Sequence, residues 1–206
     1  LFDPEKISPE EQARLRVELG LPANAFVLAY LGSIGTWYLL PEMLQFFKLL
    51  LKKKPKSYFL FITGGAPEQI LHAARKLDLP TERLLIRRAA RRQVPLYLSL
   101  ADIGIFFIKP SFSKTASSPT KQGEMMGMGL PLICNEVGDS GEIVRETKAG
   151  LVLQELSPEA LQRAAAYCTQ EGRPNPKGIR AGALKYYTLR TGIDRYEAVY
   201  RKILGS

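Results

Sequence analysis

Cysteine, histidine and tryptophan are scarce in this chain: two, one and one among 206 residues. Cys134 and Cys168 are too few and too far apart for a disulfide framework or a zinc site. His72 stands alone, and no cluster of His, Cys, Asp or Glu occurs at ligand spacing, which excludes a mononuclear metal centre of ordinary type. Long apolar runs are missing too. The longest, Phe26 to Leu31 and Ile103 to Ile108, are strand-sized, far short of the roughly 20 residues that cross a bilayer as a helix. Nothing at the start has the charged-then-apolar form of a signal peptide, so a cytoplasmic protein is expected. Low-complexity tracts and internal repeats are absent, leaving one domain as the economical assignment. The chain opens at Leu1 rather than methionine, which reads as an excised or processed piece.

What is present is an ordinary globular balance, 46% hydrophobic and 24% charged, which argues against disorder and against a fibrous chain. The net charge is +9, concentrated in Lys52-Lys53-Lys54-Pro55-Lys56 and in Arg87-Arg88-Ala89-Ala90-Arg91-Arg92. Two readings of these runs stand: a solvated basic face, or a surface for phosphates, anionic lipid or nucleic acid.

Apolar runs alternate with helical patterns along the chain. Ser8-Pro9-Glu10-Glu11 has the form of a helix start, with Gly20 as its stop. Strands are expected at 26–31, 58–63, 83–87, 103–108, 131–135 and 151–153. Helices are expected at about 41–51, 67–76, 94–100, 121–128, 142–147 and 159–169, with two more after the Gly172-Arg173-Pro174-Asn175-Pro176 break. Strands apolar on both faces and separated by helices imply a parallel sheet covered on two sides, a single Rossmann-like, doubly wound α/β fold. Its core would span about 24–170 and its helical tail about 174–204.

Such sheets bind ligands at the C-terminal ends of their strands, near a switch in strand order. Gly32-Ser33-Ile34-Gly35 follows the first strand, where glycine lets backbone N–H groups approach an anion; a plain tight turn is the competing reading. The segment from Lys109 through Ser111, Ser113 and Lys114 to Ser118-Pro119-Thr120-Lys121 follows another apolar strand and gathers hydroxyls, three lysines and a helix start. A helix N-terminus attracts anions, and Lys121 adds full charge there. Glu124, three residues on, could accept both hydrogen bonds of a ribose diol, or could merely complement the helix dipole. Phosphate recognition beside diol recognition points to a nucleotide.

The run Ser118-Pro119-Thr120-Lys121-Gln122-Gly123-Glu124-Met125-Met126-Gly127-Met128-Gly129-Leu130-Pro131 resembles the signature of group 1 glycosyltransferases, also called family 4, which adopt the two-domain GT-B architecture. Leu31 to Gly35, Val94 to Asp102, Glu142-Ile143 and Ser157 to Leu161 extend the resemblance, which covers the C-terminal, donor-binding domain only. The resemblance implies that Glu124 holds the donor ribose, that Thr120 and Lys121 lie near the diphosphate, and that Gly32 to Gly35 approach the phosphates. It implies backbone contacts to the base from the strand end at Ile86 to Arg88, which includes Arg87. It further implies metal-independent, configuration-retaining transfer of a hexose from a nucleoside diphosphate sugar as co-substrate, with no other cofactor. The acceptor would bind in an N-terminal domain outside this chain, so the isolated domain should transfer little or no sugar.

Two positions depart from the family pattern. Ala116 stands where members often carry a glutamate contacting the sugar, and Ser33 where many carry a basic residue in the glycine loop. Lys109 or Lys114, together with Lys121, is expected to supply the missing charge against the leaving diphosphate. Ala116 and Ser33 favour an alternative, a non-catalytic nucleotide-binding module that docks a partner. A sugar-nucleotide epimerase ranks lower because its characteristic residues are not evident. Nucleic-acid binding lacks both a motif and interleaved aromatics. Trp37 and Tyr38, just past the glycine loop, are expected at a domain interface. The basic face could place the whole enzyme on anionic lipid at the inner membrane face.

Overall fold

The computed structural model of the chain describes residues 1–65 and 67–205. Six strands, β1 (Phe26–Leu31), β2 (Ser57–Ile62), β3 (Leu84–Arg87), β4 (Ile103–Phe106), β5 (Leu132–Asn135) and β6 (Gly150–Leu153), form one sheet in the order β3-β2-β1-β4-β5-β6. Every pairing is parallel. The order runs outward from β1 in one direction and from β4 in the other, so the connections diverge between these two strands and open a crevice at their C-terminal ends.

The helices are α1 (Pro9–Glu18), α2 (Leu40–Lys53), α3 (Pro67–Arg75), α4 (Val94–Leu98), α5 (Thr120–Gly127), α6 (Asp139–Glu146), α7 (Pro158–Tyr167), α8 (Pro176–Tyr187) and α9 (Leu189–Leu204). Ser8, Ser157 and Asn175 each cap a helix start by accepting backbone N–H bonds, with proline in the first turn. Where the sequence predicts strands through Ile108 and Thr63, the ladder ends earlier, at Phe106 and Ile62. Beyond it, Tyr38 forms an isolated antiparallel bridge with Ile108, and Thr63 N donates to Arg87 O.

All six residues of β1 are buried, as hydrophobic strands covered on both faces must be. Phe47, Phe59 and Phe61 stack in tilted pairs beside them. Gly104 of β4 permits a close approach of helix to sheet: a Cβ there would lie 2.6 Å from Met125 Sδ and 2.8 Å from Leu132 Cδ2. That missing methyl group lets α5 lie directly over the crevice strands. At the other extreme, α9 buries none of its residues and leaves Leu189, Tyr196, Tyr200 and Ile203 exposed. No helix among the described residues is long and apolar enough to cross a membrane.

Candidate functional site

The crevice is built from the loop after β1, the loop after β4 and the first turn of α5. Gly32 adopts φ +122°, a region that L-residues rarely enter. The reason is steric as well as conformational: a Cβ at Gly32 would stand 2.6 Å from Lys121 Nζ and 3.0 Å from Lys121 Cε. The Lys121 ammonium is thus packed directly beneath the glycine loop. It donates to Tyr30 Oη at 3.0 Å, and Tyr30 Oη donates in turn to Ser33 O at 2.7 Å. Two aromatic faces complete its surroundings, Tyr38 at 3.3 Å and Tyr30 at 4.3 Å from the ring centroids.

Lys121 is only 7% exposed and, among the described residues, has no carboxylate bonded to it. Burial pushes its amine down to about 7, a shift that the more distant Glu124 charge partly opposes. Burial likewise raises the Tyr30 phenol, reinforced by Tyr38, so Tyr30 remains a neutral hydroxyl able to accept from one neighbour and donate to the other.

The loop after β4 is anchored at both ends. Buried Asn135 replaces the lost strand ladder: its Oδ1 accepts from Ile108 N at 2.8 Å and its Nδ2 donates to Ile108 O at 2.8 Å. Farther along, Asp139 N donates to Ser117 O at 3.2 Å, and Gln122 Nε2 donates to Ser140 O at 3.0 Å. The residue before α5 is Pro119, which offers no side-chain cap, so the first N–H groups of the helix keep their capacity for an anion.

Two hollows flank this machinery. One, about 410 Å³, is lined by Gly32, Ser33 and Ile34, by Thr63, Gly64 and Gly65 at the end of β2, and by Arg91. The other, about 310 Å³, holds Thr120, Gly123 and Glu124 beside Phe2, Tyr187 and again Arg91. Glu124 forms an ion pair with Arg91, with its side chain 12% exposed against 66% for the arginine. Arg180 sits at the far wall, held by Asp3 at 3.0 Å and donating to Gly127 O at 2.6 Å.

Of the sequence-predicted residues, the structure gathers Gly32, Ser33, Ile34, Thr120, Lys121 and Glu124 around the crevice. Gly35 is exposed and lines neither hollow; Ser118 and Pro119 lead into α5 outside both linings. Arg87 lines neither hollow, because its Nη1 folds back to donate to Ile86 O at 2.9 Å. Lys114 lies over the Trp37 ring at 4.6 Å, and Lys109 is exposed, its backbone N donating to Trp37 O at 2.9 Å. The cation packed against Gly32 is Lys121 rather than either of these.

Four contributors escaped sequence reading: Tyr30, hidden in an all-apolar strand; Asn135; the Thr63-Gly64-Gly65 loop, legible only as a strand end; and Arg91, legible only as part of a basic run. Tyr38 closes over Lys121 instead of standing free for an interface.

A parallel sheet with strand order 3-2-1-4-5-6 and a cationic, glycine-lined crevice at its switch point defines a doubly wound, Rossmann-like α/β domain. The sequence profile of the family described as "Glycosyl transferases group 1" matches residues 11–181, and the chain belongs to that family. Comparison with curated protein sequences gives no significant match. Among solved structures, HepE of Anabaena in complex with UDP superposes with TM-score 0.75 at 18% identity, covering 98% of this chain and 56% of that one. A glycosyltransferase of Rickettsia africae gives TM-score 0.74 at 17% identity, with 98% and 54% coverage. The C-terminal domain of the group 1 protein LpcC of Francisella tularensis gives 0.62 at 12% identity, with 91% and 96% coverage. This chain therefore spans about half the length of the first two and nearly the whole of the third. The fold is that of the C-terminal half of a GT-B glycosyltransferase.

Proposed function

We propose that the chain is the donor-binding half of a hexosyltransferase, which takes a nucleoside diphosphate sugar and transfers its hexose without a metal ion and with retained configuration. The observation that carries this reading is the placement of the Lys121 ammonium under Gly32, one helical turn from Glu124, with Gly32 lining one open hollow and Glu124 the other. HepE, of like fold, has been solved with UDP and with UDP-glucose, which supports a nucleotide sugar as the ligand class.

The chemical demand of such a transfer falls on the leaving group. Negative charge grows on the diphosphate as the glycosidic bond breaks, and fixed donors in a dry crevice stabilise it better than water does. In this reading Lys121, the uncapped start of α5 and the Gly32 to Ile34 amides share that role, with Lys109 or Lys114 reaching in from the loop after β4. Glu124 accepts from the ribose hydroxyls and fixes the nucleotide, while the end of β3 contacts the base through its backbone. The two hollows contain a single carboxylate among the described residues, Glu124, which supports cations rather than a carboxylate-held metal as the stabilisers.

The acceptor belongs in a further half of the polypeptide, whose closure over the crevice would bring donor and acceptor together. The exposed apolar face of α9 offers a surface for such a half. A second reading, a nucleotide-binding module without transfer, draws on Ala116 and Ser33, which leave two positions without the charged groups the family often has there. Sugar transfer by the full-length protein separates the two readings. The binding claim itself is tested by calorimetric titration of this chain with UDP, ADP and GDP and with their glucose conjugates. At least one should bind, and Glu124→Ala should weaken it by about tenfold or more, the loss of charge-assisted hydrogen bonds. Equal binding by wild type and Glu124→Ala would refute the assignment.

A further inference from the structure

Among the described residues, Arg91 is the one common to the linings of both hollows. It sits in the loop between β3 and α4, with its guanidinium 5.2 Å from the Phe2 ring centroid and its Nη1 on Glu124 Oε1. The Glu124 carboxylate has no other hydrogen-bond partner among the described residues. A vicinal diol engages a carboxylate through both oxygens, so ribose and Arg91 compete for Oε1. The guanidinium is two-thirds exposed, so solvent screens its side of the pair and moderates what displacement costs. Displacement would leave a long, two-thirds exposed cation beside the Gly32 to Ile34 loop, which carries no basic residue of its own.

Resting on the donor-site reading above, we infer that Arg91 exchanges partners during donor binding. It holds Glu124 in the empty site, yields the carboxylate to the ribose, and turns its guanidinium onto the diphosphate. A planar fork of N–H donors suits phosphate oxygens as well as carboxylates, so either partner satisfies it. The exchange makes Arg91 a diphosphate-specific residue and Glu124 a ribose-specific one, coupled through a single contact.

The prediction has opposite signs for two parts of one ligand. With the whole chain, Arg91→Ala should weaken UDP and inorganic pyrophosphate by about tenfold or more, the usual worth of a charge-assisted bond. It should leave uridine unchanged or bind it up to about tenfold tighter, since the competitor for Glu124 is gone. Arg91→Lys should recover part of the UDP affinity. Calorimetry serves for UDP and pyrophosphate, and ligand-observed NMR for uridine; if ADP or GDP is the tighter diphosphate, the matching nucleoside replaces uridine. Equal losses for uridine and UDP would make Arg91 a static brace for Glu124, and no change in either would make the ion pair incidental; both results overturn the exchange. Failure of the wild-type chain to bind any of the three diphosphates would instead sink the donor-site reading beneath it. Arg91→Ala should melt close to wild type, because its side chain is mostly in solvent.

Discussion

Replacing Lys121 by methionine should make the empty protein more stable and its ligand binding weaker. The amine is brought from 10.5 to about 7, and at about 1.4 kcal/mol per tenfold change in proton affinity this corresponds to on the order of 4–5 kcal/mol against the charged form. Because the folded pKa lies below the unfolded one, the unfolded chain binds more protons between pH 7 and 10.5. Wild-type stability should therefore climb across that window at up to about 1.4 kcal/mol per pH unit, with the penalty fully present below about pH 7 and gone above about pH 10.5. Methionine fills a similar volume without the charge, so the advantage of Lys121→Met should be several kcal/mol at pH 6 and much smaller at pH 10. The groups facing the amine are Tyr30 of β1, Tyr38 ahead of α2 and, on its own helix, Glu124. Lys121 is the one residue that differs between the two proteins, so the difference between their stability profiles isolates it. A bound diphosphate supplies the missing counter-charge, so binding at pH 7 should take up about half a proton, rising toward one at pH 8.5 and falling toward none at pH 5.5. Urea unfolding across pH reads the first effect, and calorimetry in buffers of different ionisation heat reads the second. Parallel stability profiles for the two proteins, or proton uptake that persists in Lys121→Met, would refute the reasoning.

Gly32→Ala should destabilise the fold by about 1–3 kcal/mol, the cost of holding an L-residue at strained backbone angles, and should weaken UDP by displacing Lys121 Nζ; a melting curve and a titration check both. Asn135→Ala leaves the N–H and C=O of buried Ile108 without partners, at about 1–3 kcal/mol for each group. Its urea midpoint should fall accordingly, and hydrogen exchange should quicken in the 107–119 segment while β1 stays protected.

The alternation of apolar runs with helical patterns was enough to place all six strands, because strands buried on both faces carry their burial in their composition. Ends were harder to read. Ile108 and Thr63 look like strand continuations, yet their backbone groups bond to an Asn side chain and to a neighbouring strand end. The glycine loop and Lys121 could be singled out separately from type and spacing, but their contact depends on α5 packing closely over Gly104, which no local pattern reveals. Tyr30 was hidden for a related reason: within FVLAYL it reads as bulk, and only the fold shows its hydroxyl reaching Ser33 O and Lys121. The two basic runs look alike in sequence but differ in role. Lys52 and Lys53 sit at the C-terminal end of α2, where a helix dipole favours cations, whereas Arg91 reaches across 33 residues to Glu124.

A crystal structure of this chain with a bound nucleoside diphosphate tests the central claim most directly. The ribose hydroxyls should lie on Glu124, and the diphosphate between Gly32 to Ile34, the start of α5 and Lys121 Nζ. A nucleotide seated instead in the hollow at the opposite end of the strands, between Pro9, Asp102 and Arg173, would contradict the account.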